Sequence, residues 1–432
     1  VPSKTRLLRA VLLFLLTFAL VTPLGGASAE EVTDPVAPTV TGTPVVGQVL
    51  TAVTPSDWPT SETPTYVWAA DGTPLGTDAA TLVPTPGEQG KQITVTLSST
   101  PSGETRTSAP TAKVLLAGQP TVAGTYLVGS TLTASPGTWT AGTNLTYQWL
   151  DNGQAIPNAV GSTFRLTSSQ GRRGISVRVT GFLTDYPTFS TTSVKSAKVV
   201  TAAAKPRISG AAAVGRTLTA RPGTWMSGVR IHYRWYADGS PISGATRSTY
   251  KISSGQVTRK ITLRTLGTRA GYATVTRFSG ATPHVQRIGS AGISGKPVAT
   301  RSLTARTGSW VSGTTFTYAW YLNGKKISGA TSSHIYVKPS WKGKKLKVRV
   351  TGRKSGYSTF SDMSSSSSAV TLPGRTDPVS SWNCPSWAPI KGNASSMIYH
   401  MPGQRFYKAT KPEDCFSTQA AARSYGYRKA KV

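Results

Sequence analysis

Acidic residues are scarce: the 432-residue chain has 16 Asp and Glu against 48 Lys and Arg, a formal net charge of +32. Cysteine is rarer still, with Cys384 and Cys415 alone, so most of the chain must hold together by packing rather than by cross-links. Beyond residue 21 there is no apolar run near the ~20 residues that a membrane-spanning helix needs, so no transmembrane span is expected in the mature chain. A recognition-helix pattern, zinc-finger spacing and an RNA-binding aromatic motif are all missing, which excludes base-specific reading of nucleic acid. The sequence brings no acid, base and nucleophile together at matching positions. The chain is therefore expected to be no enzyme and to need no cofactor or metal.

What is present begins with a targeting pattern. Lys4, Arg6 and Arg9 precede AVLLFLLTFALV (10–21), and Ala27-Ser28-Ala29 supplies the small residues of a cleavage site, so 1–29 reads as a secretory signal peptide. The rival reading, a permanent anchor, asks for a longer run. Export to the cell surface or cell wall is the expectation.

The remainder is rich in Gly (43), Pro (29), Ser and Thr, which suits short strands and tight turns. Trp68, Trp149, Trp235 and Trp320 are separated by 81, 86 and 85 residues, and Trp58, Trp139, Trp225 and Trp310 keep the same steps ten residues earlier. Two markers sharing one period define a tandem array of four units, 38–116, 118–201, 205–282 and 284–371. In each, a YxW strand puts Tyr and Trp on one face, and DG or NG after it is a hairpin turn that tolerates positive φ. GISVRVTG (174–181) and KLKVRVTG (345–352) alternate as half-buried strands do. Six or seven short strands per unit predict an all-β fold of tandem antiparallel β-sandwiches. The expected core markers are Tyr66, Trp68, Trp139, Tyr147, Trp149, Trp225, Tyr233, Trp235, Trp310, Tyr318 and Trp320, with the PGTW tryptophans the more exposed set. An aromatic carbohydrate platform is the rival reading.

Between 205 and 380 there are 28 Lys or Arg against Asp238, Asp362 and Asp377. Such a surface is drawn to polyanions with an affinity that falls as salt rises. Anionic cell-wall polymers or an anionic membrane surface are the expected partners, with non-specific extracellular DNA a further one. The candidate contacts are Lys342, Lys344, Lys345, Lys347 and Arg349 in WKGKKLKVR, Arg353 and Lys354 just after it, and Trp341 as an exposed aromatic where other units carry small residues.

The markers V-x-G…V-G-x-x-L-T-A-x-P-G-T-W…YxWxxDGxxIxGAT…VxVTG resemble bacterial immunoglobulin-like repeats common in surface and secreted proteins of actinobacteria. The resemblance spans about 38–370 and implies a structural or adhesive stalk without catalytic residues. The first unit departs from it, with PSDW at 55–58 in place of PGTW and no GAT.

After a Ser-rich stretch and a linker (372–382), the closing segment 383–432 changes character. It reads as a small α+β module with Cys384 and Cys415 in one disulfide, short strands in MIYHMPG and RFYKA, and a helix from Ser417 to Tyr425 ended by Gly426. Zinc held by Cys384, His400, Cys415 and Glu413 or Asp414 is an alternative, and a Cys–His hydrolase a weaker one. Lys391, Asn393, His400 and Tyr407 form the candidate ligand site. Cys384-Pro385, Pro389-Ile390-Lys391-Gly392-Asn393, Ile398-Tyr399-His400, Pro402-Gly403, Tyr407, Cys415-Phe416 and Gly426-Tyr427-Arg428 resemble a small C-terminal domain of secreted actinobacterial proteins, some of which carry nucleases elsewhere. Two functions remain: a cationic adhesive or structural stalk, or a spacer presenting a hydrolase or nuclease accessory or ligand-binding module.

Overall fold

The computed structural model describes residues 34–76, 78–100 and 102–431. The signal peptide expected over 1–29 lies outside the described residues. By contacts the chain divides into two compact units: one runs to Gly118 and includes Thr138–Leu145 and Gly181–Phe189, and the other holds the rest.

Each repeat is a three-stranded and a four-stranded antiparallel sheet, the immunoglobulin-like arrangement of seven strands. In the third repeat Arg207–Ser209, Thr217–Arg221 and Thr249–Lys251 form one sheet. Ser240–Pro241, Arg230–Ala237, Ile261–Thr268 and Val275–Phe278 form the other.

Trp68, Trp149, Trp235 and Trp320 are 0% exposed at the centres of their repeats. Burying an indole strands its N–H unless an acceptor is supplied. Here the acceptors are the carbonyls of Ala79, Gly161, Arg247 and Ser332, at 2.8–2.9 Å. The hairpins behind these strands turn at Asp71-Gly72, Asn152-Gly153, Asp238-Gly239 and Asn323-Gly324, both residues of each pair at positive φ. That is the turn whose twist matches a hairpin. Each turn side chain then accepts the N–H of Gln92, Gly174, Lys260 or Lys345, fixing where the next strand starts.

Of the expected core markers, Trp139, Trp225 and Trp310 stand elsewhere. They are half-buried against Gly181, Gly267 and Gly352, where an added Cβ would come within 2.4, 2.2 and 2.6 Å of the indole. Trp225 belongs to a separate cluster with Leu127, Val200, Ala203, Met226 and Val275. The first repeat reverses this pattern: Trp58, in the departing PSDW sequence, is buried in the core. The Ser-rich stretch before the linker is not a free tether at its start. Ser364 and Ser367 hydroxyls accept the N–H groups of Val348 and Leu346, as Ser279 and Thr282 do for Leu263 and Ile261.

Consecutive repeats meet through a recurring pair. Lys113 lies 5.9 Å from the Tyr186 ring, Lys198 5.8 Å from Tyr272, and His284 stacks on Tyr357 at 5.1 Å. Ala369 holds the corresponding place at the end of the fourth repeat.

The C-terminal sheet has five strands in the order Arg375–Thr376, Asp414–Phe416, Ile390–Asn393, Ile398–His400, Arg428–Lys429, the last pair parallel. Its first strand comes from the expected linker, held by Arg375 Nε on the buried Asp414 carboxylate at 2.5 Å. The helix is Gln419–Ser424, capped by the Thr418 hydroxyl on the Ala421 N–H. RFYKA, expected as a strand, forms turns instead, because the carbonyls of Tyr407 within it and Thr410 just after it face Lys391 rather than a neighbouring strand.

Gly267→Ala is expected to weaken the third repeat by ~1–3 kcal/mol through overpacking against Trp225. Gly280, with nothing within 4 Å of an added Cβ, should tolerate alanine. Amide exchange along Ile261–Thr268 reads the difference.

Candidate functional site

The basic stripe of the fourth repeat is built by alternation. Leu346, Val348 and Val350 are fully buried, and this turns Lys347, Arg349 and Arg353 to the outer face of the four-stranded sheet. Lys342, Lys344 and Lys345 are exposed at the turn before it. Arg349 lies 5.3 Å from the Tyr321 ring. At the far end, Lys354 Nζ donates to the Ser312 carbonyl at 2.6 Å and sits 5.0 Å from the Tyr357 ring. The strand Leu346–Arg353 spans ~26 Å, so these cations form a stripe and not one pocket.

Trp341 is not the exposed contact expected of it. It ends the turn Pro339–Trp341 half-buried against the core of the repeat. Its counterparts are Glu88, Gln170 and Gln256, which close capping boxes with Thr85, Thr167 and Ser253. They are not the small residues that the sequence reading aligned there. The fourth repeat has no such box, and Lys338 Nζ lies 5.9 Å from the Trp341 ring.

The third repeat carries a cationic face that the sequence reading missed. Arg234 and Arg264 are directly opposite in register, with buried Trp235 and Leu263 as the next pair, so both guanidinium groups leave the same outer surface. The signal was available: the Arg before Trp in HYRWY and the Arg in ITLRTLG occupy paired positions.

In the C-terminal module Cys384 and Cys415 are joined by a disulfide. This consumes both thiolates that the zinc and Cys–His readings require. Among the described residues no three His, Cys, Asp or Glu gather as a metal site.

Strand pairing sets Lys391 against His400 and Asn393 against Ile398. Lys391 is only 4% exposed; its ammonium donates to the carbonyls of Tyr407 at 3.0 Å and Thr410 at 3.2 Å. Burial pulls its pKa below the usual lysine value. The Tyr407 hydroxyl donates to the Pro389 carbonyl at 2.7 Å, and burial raises its pKa. Asn393 Oδ1 accepts from Ser395 Oγ and from the Ser396 N–H and Oγ, which shapes the turn. Lys391 and Tyr407 therefore brace the module from within.

His400 and Asn393 do line a cleft, of about 790 Å3, together with Trp382, Ser396, Lys411 and Glu413. Trp382, also missed by the sequence reading, is 47% exposed, with Lys411 Nζ 4.9 Å from its ring. His400 Nδ1 is buried without a hydrogen-bond partner. Burial first, and then the Lys391 charge, lower its pKa.

A family model described as ArfC matches residues 369–429. No curated protein matches the chain. Among solved structures, the Ca2+-stabilized adhesin that helps an Antarctic bacterium reach out and bind ice is 13% identical. That match covers 79% of this chain and 100% of that one, at a TM-score of 0.20. The N-terminal eight Ig domains of Down Syndrome Cell Adhesion Molecule are 15% identical over 80% of this chain and 49% of that one, at 0.22. Three N-terminal domains of the bacteriophage RB49 outer capsid protein Hoc are 18% identical over 59% and 98%, at 0.25.

The lowered pKa gives His400 a signed effect on stability. Its folded-state contribution is present above the unfolded value near 6.5 and is lost as pH falls through the lower folded value. Amide protection factors in the C-terminal sheet, taken relative to the intrinsic exchange rate at each pH, should therefore fall as pH drops below about 6.5. His400→Gln should flatten that change.

Proposed function

We propose that this is a secreted, non-enzymatic protein that holds to an anionic polymer of the cell envelope through the cationic sheet faces of its third and fourth repeats. One observation carries the reading. Between 205 and 371 there are 27 Lys and Arg, and among the described residues none has a carboxylate within 4 Å. The two acidic residues in that span are already used: Asp238 accepts the Lys260 N–H at 2.9 Å and Asp362 accepts the Ala291 N–H at 2.7 Å. In the first repeat, by contrast, Arg106 sits between Asp57 and Glu104, at 2.8 and 2.5 Å.

Cations that are not neutralised internally can displace the counter-ions condensed on a polyanion, so binding gains from their release into solution as well as from contact. Several such faces on one chain raise avidity even where each is weak. Export rests on the sequence of residues 1–29, and actinobacterial origin on the repeat and C-terminal motifs. Among the described residues no helix is long and apolar enough to cross a membrane.

A second reading makes the repeats a spacer for the C-terminal cleft, and the buried, unpartnered His400 Nδ1 is the observation that favours it.

The full chain, incubated with purified cell walls, separates the two. Retention that disappears when anionic polymers are stripped from the walls is expected. Retention indifferent to stripping but lost with Trp382→Ala would transfer the function to the C-terminal cleft.

A further inference from the structure

The geometry points to a phosphate-binding fork on the third repeat, formed by Arg234 and Arg264. The inference rests on the polyanion reading above and names the group on the polymer that this face would take.

Like charges placed directly opposite on neighbouring strands destabilise the pair. Arg234 and Arg264 are such a pair, with no carboxylate within 4 Å among the described residues. The nearest carboxylate in sequence, Asp238, is engaged by a backbone N–H. The arrangement is also specific to this repeat: the corresponding pairs are Val67 with Thr96 in the first and Ala319 with Arg349 in the fourth. Gln148 stands at the place of Arg234 in the second.

Arg264 stands beside aromatic side chains. Its guanidinium carbon lies 6.0 Å from the Tyr236 ring, whose centroid is 6.1 Å from that of Phe278, and Phe278 is the register partner of Arg264. Arg264 Nε is buried without a hydrogen-bond partner. A guanidinium fixed on a partly dry surface loses little freedom on meeting an anion. His232, on the same outer face, bonds the Thr268 hydroxyl at 3.1 Å.

Arg234 and Arg264 present donors from two adjacent strands, whereas the lone pairs of a carboxylate lie in one plane. A tetrahedral phosphate, with oxygens directed to both strands, takes the pair. The ligand class is therefore a phosphate or phosphodiester oxyanion.

The test is a titration of the full chain with inorganic phosphate at fixed ionic strength, followed by arginine side-chain NMR, with acetate as the parallel probe. Arg234→Gln and Arg264→Gln should each weaken phosphate binding by about tenfold or more, and Arg264→Lys by less. Lys251→Gln, an exposed cation on the other sheet, should change it less than about twofold. In phosphate-free buffer Arg234→Gln should melt no lower than the unaltered chain, because it relieves the like-charge pair.

Retention of the full chain on a glycerol-phosphate polymer separates the two levels of inference. If the chain is retained and neither arginine variant loses more than Lys251→Gln, the fork is overturned and the general cationic reading stands. If the chain is not retained, both fall. Acetate shifting the same arginine signals as strongly as phosphate would overturn the assignment of ligand class.

Discussion

A single contact organises each repeat: a fully buried indole whose N–H is satisfied by a backbone carbonyl 11 or 12 residues further on. The contact fixes the YxW strand against the segment that follows its hairpin, and so the inner face of the four-stranded sheet. Burying Trp without that carbonyl would leave an uncompensated donor in a dry core. With it, the rest of the inner face needs only apolar side chains, and Leu263, Val348 and their equivalents supply them.

Because the core uses one face of each strand, the other is free to vary. The first repeat closes its arginine into a local ion-pair cluster over the Trp58 ring, 5.4 Å away. The third and fourth repeats do the opposite, placing arginines on the outer sheet face beside Tyr236 and Tyr321 without acidic partners. Charge on a solvated sheet face leaves the buried face unchanged, so the same sandwich can carry an excess of acidic residues in one copy and of basic residues in the next.

Features governed by neighbours in sequence were legible. The period of the tryptophans, the Asp-Gly and Asn-Gly turns and the alternation in KLKVRVTG all follow from local backbone rules, and the two-sheet fold follows from them. Features set by distant partners were not. Trp139, Trp225 and Trp310 are the more exposed tryptophans, as their PGTW setting suggests, but the slots that seat them, at Gly181, Gly267 and Gly352, lie 42 residues later and do not show in the local pattern. Trp341 looked exposed because its equivalence to a capping glutamine is visible only once the short turns are superposed. In the C-terminal module the four proposed residues divided by burial: Lys391 and Tyr407 turned inward, while His400 and Asn393 reached the cleft with Trp382. Strand pairing gives neighbours, but only packing decides which of them meet solvent.

The claim at the centre is electrostatic, and the salt dependence of affinity is its most direct measure. Binding of the full chain to a purified phosphate-bearing wall polymer should weaken linearly on a log–log plot against salt, with a slope of about −3 or steeper, reporting several cations released together. An affinity that stays flat as salt rises would contradict it.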